Sequence, residues 1–163
     1  MDKNDRSHTV KLDRALCQDE RQAMPGRRLL AEVVADCGAS EATLWLVARD
    51  EAHLEAVLNH GPQCLVLEQL SVPINDSVVG MVAHSGNSVS IGPEDDHNPT
   101  IDRATGIETQ AMIASPVYVG DDRRGVLSAI NPIQGRLFPD GSLETLKWKG
   151  YLAGLLLSDW INA

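Results

Sequence analysis

The stretch SVPINDSVVGMVAHSGNSVSIGPEDDHNPTIDRATGIETQAMIASPVYVGDDRRGVLSAIN, residues Ser71–Asn131, decides how this chain folds. It opens on a strand-like SVPI. Val78–Ala83 then reads as a short helix closed by Gly86, with Asp76 or Ser77 placed to cap its start. A short apolar strand, Ser88–Ile91, leads into an acidic loop. Asp102-x-x-Thr105-Gly106-x-x-Thr109 follows. Ala111–Val119 and Arg124–Asn131, joined by GDDR, then read as a hairpin. This order predicts a sheet with a loop-and-helix cover on one face.

Upstream of this stretch the pattern is helix, then hairpin. From about Gln22, the residues Leu29, Leu30, Val33, Val34 and Cys37 fall on one helical stripe. Gly38 supplies a stop, because glycine enters the left-handed region without Cβ strain. Pro25 lies near the start, where a missing N–H does little harm. Thr43–Ala48 (TLWLVA) is apolar on both faces and reads as a central strand, with Trp45 as a core residue. RDEA makes a turn. His53–Asn59 then alternates, with Leu54, Ala56 and Leu58 on one face and His53, Glu55 and Asn59 on the other.

Downstream, a helix is predicted from about Ser142 to Trp160. Tyr151–Leu157 is apolar nearly all round, which predicts cover on two sides. One side faces the sheet; the other needs the first helix, a second subunit, or both. Residues 1–21 form a polar N-terminal segment, and residues 22–163 form the domain.

Composition bounds the function. A chain of 163 residues builds one core, and with 43% apolar but only 4% aromatic residues that core is aliphatic. A net charge of −9 argues against a nucleic-acid face, which needs clustered Lys and Arg. The apolar run Leu152–Leu157 is far too short to span a bilayer. Cys17, Cys37 and Cys64 match no zinc spacing and no disulfide framework, so a reducing cytoplasm is the expected setting.

In its ordered set of elements the chain resembles the GAF family of small-molecule sensor domains, over about Leu29 to Trp160. The resemblance is strongest in Ser71–Asn131. It implies an α+β fold: a six-stranded antiparallel sheet, N- and C-terminal helices on one face, and a short-helix and loop lid over a pocket on the other. It implies a regulatory domain that binds a small molecule, with nucleotides among the candidates, and signals through its terminal helices.

Members that bind cyclic nucleotides enclose them with elements that correspond here to Thr43, Leu58, Asn59, Met81, Val82, Asn98, Asp102, Thr105 and Thr109. Thr hydroxyls and a helix N-terminus suit a phosphate, and apolar side chains suit a base. The chain departs from such members in three places. Pro132, not Lys, follows Asn131; Phe138 and Asp140 are spaced differently; and Leu58 stands where an aromatic often stacks.

Family dimers imply an interface through Leu30, Val34, Tyr151, Leu155 and Leu156. A downstream signalling domain or protein is the implied output, with no nucleic acid and no membrane as partner. A second reading makes the chain a dimerisation or partner-docking module with a vestigial pocket.

The chemistry-bearing residues have plainer readings as well. Asp102, Thr105 and Thr109 either touch a ligand or cap and staple the cover helix through local backbone bonds. His97, in Asp95–Asn98, has no second histidine nearby and reads as a solvated loop residue rather than a metal or haem ligand. No cysteine follows Cys64, so a reductase thiol or a bilin attachment in the later half is missing. No HExxH, GxSxG or phosphate-loop signature occurs. The chain is therefore expected not to be an enzyme. Its cofactor, if any, is unknown, and no metal, haem or bilin is expected.

Overall fold

The computed structural model describes residues 19–162, with side chains through Trp160. Most of the polar segment 1–21, with Cys17, lies outside the described residues. The first helix, α1, spans Glu20–Cys37. It starts before Gln22 because the Asp19 carboxylate accepts the Arg21 N–H at 2.9 Å. Pro25 therefore sits in the second turn, on the exposed face, where water can take the carbonyl it leaves free. Gly38 ends the helix at φ +66°, its N–H bonded to the Val34 carbonyl.

Strands β1 (Ala39–Val47) and β2 (His53–His60) form the first hairpin. A one-turn helix α2 (Cys64–Leu67), strand β3 (Ser71–Pro73), helix α3 (Val78–Ser85) and strand β4 (Val89–Ile91) follow. Ser77, one of the two expected caps, accepts the Gly80 N–H at 3.0 Å. A six-residue helix α4 (Thr100–Thr105) precedes the second hairpin, β5 (Met112–Val119) and β6 (Asp122–Pro132). The last helix, α5, spans Ser142–Asn162.

The six strands form one sheet in the order β3-β2-β1-β6-β5-β4, with every neighbouring pair antiparallel. The expected α+β architecture is therefore present, and β1 lies inside the sheet with both faces covered. Strand alternation sorts the core into two clusters. Leu44, Leu46, Ile113 and Leu127 face α1 and α5, where Leu29, Leu30, Val33, Leu146, Ala153 and Leu157 meet them. Trp45, Ala114 and Val126 point the other way, toward Val79 and Val82 of α3.

Helices α1 and α5 are also tied by charge. Lys149 is almost fully buried and bonds Glu32 at 2.8 Å and Asp36 at 3.1 Å. The hydrogen bond to Glu32 leads the interactions that hold the Lys149 ammonium above its ordinary pKa.

The two-sided cover expected for α5 is only half present. Leu146, Ala153 and Leu157 are buried, but Trp148, Tyr151 and Leu155 are 59%, 58% and 49% exposed. The Trp148 and Tyr151 rings stack at 5.5 Å. Of the residues expected at an interface, Leu30 must be withdrawn. It is fully buried within this chain, because its stripe faces the sheet rather than outward. Val34 and Leu156 are half-buried against the same core, and Tyr151 and Leu155 remain on the surface.

Candidate functional site

An irregularity in β2 sets the floor of the site. Leu44 pairs with Leu58, but the next residue, Trp45, pairs with Ala56, so Val57 is an extra residue. A bulge of this kind reverses the alternation beyond it. Leu58 therefore turns toward α1 and joins the helix-side core, against the expectation that it lines the pocket. Asn59 turns the other way, and its Nδ2 donates to Thr43 Oγ1 at 2.8 Å.

Thr43 pairs with Ser128 on β6, and Trp45 lies two residues further along β1 on the same face. The indole Nε1–H donates to Ser128 Oγ at 2.9 Å, which fixes the ring against the sheet. These residues floor a pocket whose free space, counted out to its open mouth, is about 540 Å³. Leu67, Val72, Met112 and Ile130 form its sides, together with Ser77, Val78 and Val79 at the start of α3. His97, Asn98, Ile101, Asp102 and Thr109 form its roof.

Side-chain bonds order the roof. Asp102 Oδ2 accepts the Thr109 N–H at 2.8 Å and lies 2.9 Å from His97 Nε2, while Oδ1 accepts the Thr109 hydroxyl at 2.7 Å. Asn98 accepts from the backbone and hydroxyl of Thr100 and donates to Asp76, tying the roof to the entry of α3. At the far end Asn131, held at φ +53°, accepts the Gln110 N–H and donates to the Glu108 carbonyl. Asparagine tolerates this left-handed backbone because its side chain bonds locally.

Nine residues were expected at the ligand. Thr43, Asn98, Asp102 and Thr109 line the pocket, and Asn59 stands behind Thr43. Leu58 faces the helices. Val82 is buried beneath α3 in the sheet-side core, and Met81 is half-exposed; neither borders the cavity. Thr105 is also outside it, because its hydroxyl donates back to the Ile101 carbonyl at 3.0 Å and holds the end of α4. The stapling role considered for Asp102, Thr105 and Thr109 is thus present in the bonds. Sequence reasoning missed Ser128, Met112 and Ile130 as wall residues. It placed Trp45 in the core without a pocket face, and His97 in solvent.

Two carboxyls in this region titrate in opposite senses. Burial pushes the Asp102 carboxyl up, but the bonds from His97 and Thr109 outweigh it and hold the group below its ordinary pKa. A depressed value contributes stability above the ordinary carboxylate range and loses it as pH falls through the folded value. Asp102→Ala is expected to cost about 2 kcal/mol near neutral pH, from the loss of hydrogen bonds to a charged acceptor. In thermal melts, the gap to wild type should close as the pH drops below that range.

Glu41 behaves in reverse. It is 3% exposed, and among the described residues its Oε2 has no hydrogen-bond partner; Oδ1 of neighbouring Asn59 lacks one too. Burial pushes the Glu41 carboxyl up, with the bond from Asn59 opposing. A raised carboxyl value means the fold favours the protonated form, so this contribution is lost as pH rises through the folded value. Glu41→Gln removes the buried charge and adds a donor. It is expected to raise stability by about 1 kcal/mol at neutral pH and by nothing at acidic pH, measured by urea unfolding.

Among the described residues, no group of three or more His, Cys, Asp or Glu is placed to hold a metal ion, and no helix is long and apolar enough to cross a membrane.

This architecture is that of a known family. The GAF domain profile matches residues 26–147, and the chain belongs to that family of regulatory and sensory domains. The alpha subunit of the human rod cGMP-specific 3′,5′-cyclic phosphodiesterase is 31% identical over 99 residues, which cover 58% of this chain but only 11% of that much longer protein. Two bacterial structures are similar in fold. The GAF-B domain of DevS from Mycobacterium smegmatis has a TM-score of 0.64 at 20% identity, covering 80% of this chain and 88% of that one. The GAF domain/HD domain protein from Geobacter sulfurreducens has a TM-score of 0.68 at 11% identity, covering 96% and 98%.

Proposed function

We propose that this chain is a cytoplasmic, non-catalytic sensor domain that binds a small molecule in the Thr43–Trp45–Ser128 pocket. Residues 93–109 act as its lid, and the terminal helices carry the signal. The observation that supports this reading is the pocket itself: an apolar cavity with a few convergent polar groups, roofed by a segment that side-chain bonds hold in place. The phosphodiesterase relative, named for cGMP, keeps nucleotides among the candidates.

A short bonded path supports signal transfer. Asn131 clamps the end of the lid at Glu108 and Gln110. Its own carbonyl accepts the Ser40 hydroxyl, and two residues on the Ile133 N–H bonds Gly38, at the end of α1. A ligand shifts this arrangement only by binding open and closed lids with different affinity.

Native mass spectrometry of the freshly purified protein tests the reading. Added small-molecule mass is expected on the folded wild type and not on Met112→Trp, which fills the pocket from a half-buried position. Equal added mass on both proteins would place the ligand elsewhere and refute the pocket.

The docking reading draws on a different observation, the exposed Trp148–Tyr151–Leu155 stripe. In this reading the stripe joins two copies of the chain as a homodimer. A Tyr151→Glu, Leu155→Glu variant is expected to sediment as a folded monomer where wild type sediments as a dimer. An unchanged dimer would rule the stripe out as the interface.

A further inference from the structure

We infer that the pocket discriminates by charge, rejecting anions and accepting an uncharged or cationic aromatic heterocycle. This rests on the pocket reading above and narrows it, removing the anionic nucleotides from its candidates. Among the described residues the wall holds one carboxylate, Asp102, and one histidine, His97, and no lysine or arginine. His97 is engaged with Asp102 at 2.9 Å. Arg103, on the same short helix, is exposed and not part of the wall. Arg27 is taken up by Glu20 and Glu68.

The remaining donors are mostly committed. The Ser77 hydroxyl donates to the Pro73 carbonyl, and the Thr109 hydroxyl donates to Asp102. The Asn98 amide donates to Asp76. Thr43 and Ser128 each accept a bond, from Asn59 and Trp45, and keep their hydroxyl protons for a partner. Two hydroxyls are thin provision for a phosphate or a carboxylate.

The start of α3 is the one feature that favours an anion, since a helix N-terminus carries roughly half a positive charge. Here it is already complemented. Ser77 takes the Gly80 N–H with its side chain and the Met81 N–H with its carbonyl, and the Asp76 carboxylate stands just before it. The full charge on Asp102 therefore dominates the roof.

Acceptor capacity points the same way. A carboxylate offers about four lone-pair sites. Asp102 uses three, for His97, the Thr109 N–H and the Thr109 hydroxyl, so one remains for a donor on the ligand. Below it the Trp45 ring, held by its bond to Ser128, and Val72, Val79, Met112 and Ile130 give the pocket an apolar lining for a ring. A tryptophan face attracts a cation as well as a neutral ring.

The test uses three probes that share one ring and differ in charge: tryptamine, tryptophol and indole-3-acetate. Each is titrated into the full chain by saturation-transfer NMR, with Met112→Trp and Ile130→Phe as two independent pocket-filled controls. Tryptamine and tryptophol are expected to bind at least tenfold more tightly than indole-3-acetate, with binding lost in the controls. Asp102→Asn is expected to shrink the gap. Indole-3-acetate binding as tightly as tryptamine would overturn the inference, as would binding that survives both controls. If none of the three binds, the inference fails alone when native spectra still show a retained molecule, and fails together with the pocket reading when they do not.

Discussion

Replacing Gly154 by alanine is expected to destabilise the protein by about 3 kcal/mol, and by valine to prevent folding. A Cβ at this position would lie 2.0 Å from the Tyr118 carbonyl oxygen, which belongs to the backbone of β5 and cannot swing away. The only relief is to lift α5 off the sheet. Overpacking of this kind costs about 1–3 kcal/mol or more. It exceeds the roughly 1 kcal/mol that alanine gains over glycine in helix propensity. Gly150, one turn earlier on the same face, supplies the control. Its Cβ would meet the Pro116 carbonyl at 3.4 Å and Ser115 Oγ at 3.6 Å, close to ordinary contact. Gly150→Ala should therefore stay within about 1 kcal/mol of wild type by urea unfolding. Equal effects at the two positions would contradict the close approach of α5 to β5 at Gly154.

Trp45→Ala is expected to cost about 3–5 kcal/mol, the range for emptying a large buried aromatic site. Trp45 is 4% exposed and is the largest side chain in the sheet-side core. Its loss joins the vacated space to the pocket and leaves Ser128 without its donor. Trp45→Phe keeps most of the packing and removes only the indole N–H, so a cost of about 1 kcal/mol is expected. The pair separates the two roles of the residue. If Phe costs as much as Ala in urea unfolding, the bond to Ser128 governs the site; if Phe costs nothing, that bond contributes nothing measurable.

Much of the architecture was legible in the sequence, because it follows from local signals. The Leu29–Cys37 stripe and the glycine after it set α1, and the pair Asp76 and Ser77 marked the start of α3. The hairpins at RDEA and GDDR fixed which strands pair. The two-sided apolarity of TLWLVA placed β1 inside the sheet. Where these signals failed, the cause was a contact between distant segments. The alternation of His53–Asn59 put Leu58 with Leu54 and Ala56, and nothing in that run announces the extra residue at Val57. A bulge is defined against a partner strand, so it has no signature in one strand alone.

The same holds for α5. Its girdle read as apolar all round, while Gly150 and Gly154 mark the face that rests on β5 and Trp148 marks the face left open. Half of the candidate site was legible for a related reason. Thr43, Asn98, Asp102 and Thr109 came from the family resemblance and do line the pocket. Ser128 needed the register of β1 against β6, and His97 needed the fold of a loop with no period to read. Thr43 opposite Ser128 was the available signal, since both are small polar residues bordering apolar runs, LWLV in β1 and GVL in β6.

The account turns on a lid whose closed arrangement a bound molecule favours over the open one. Hydrogen exchange across residues 93–109, with and without the molecule identified by native mass spectrometry, tests this most directly. Binding is expected to slow exchange in that segment at least tenfold and to alter protection at the ends of α1 and α5. Equal protection of residues 93–109 in both states would contradict it.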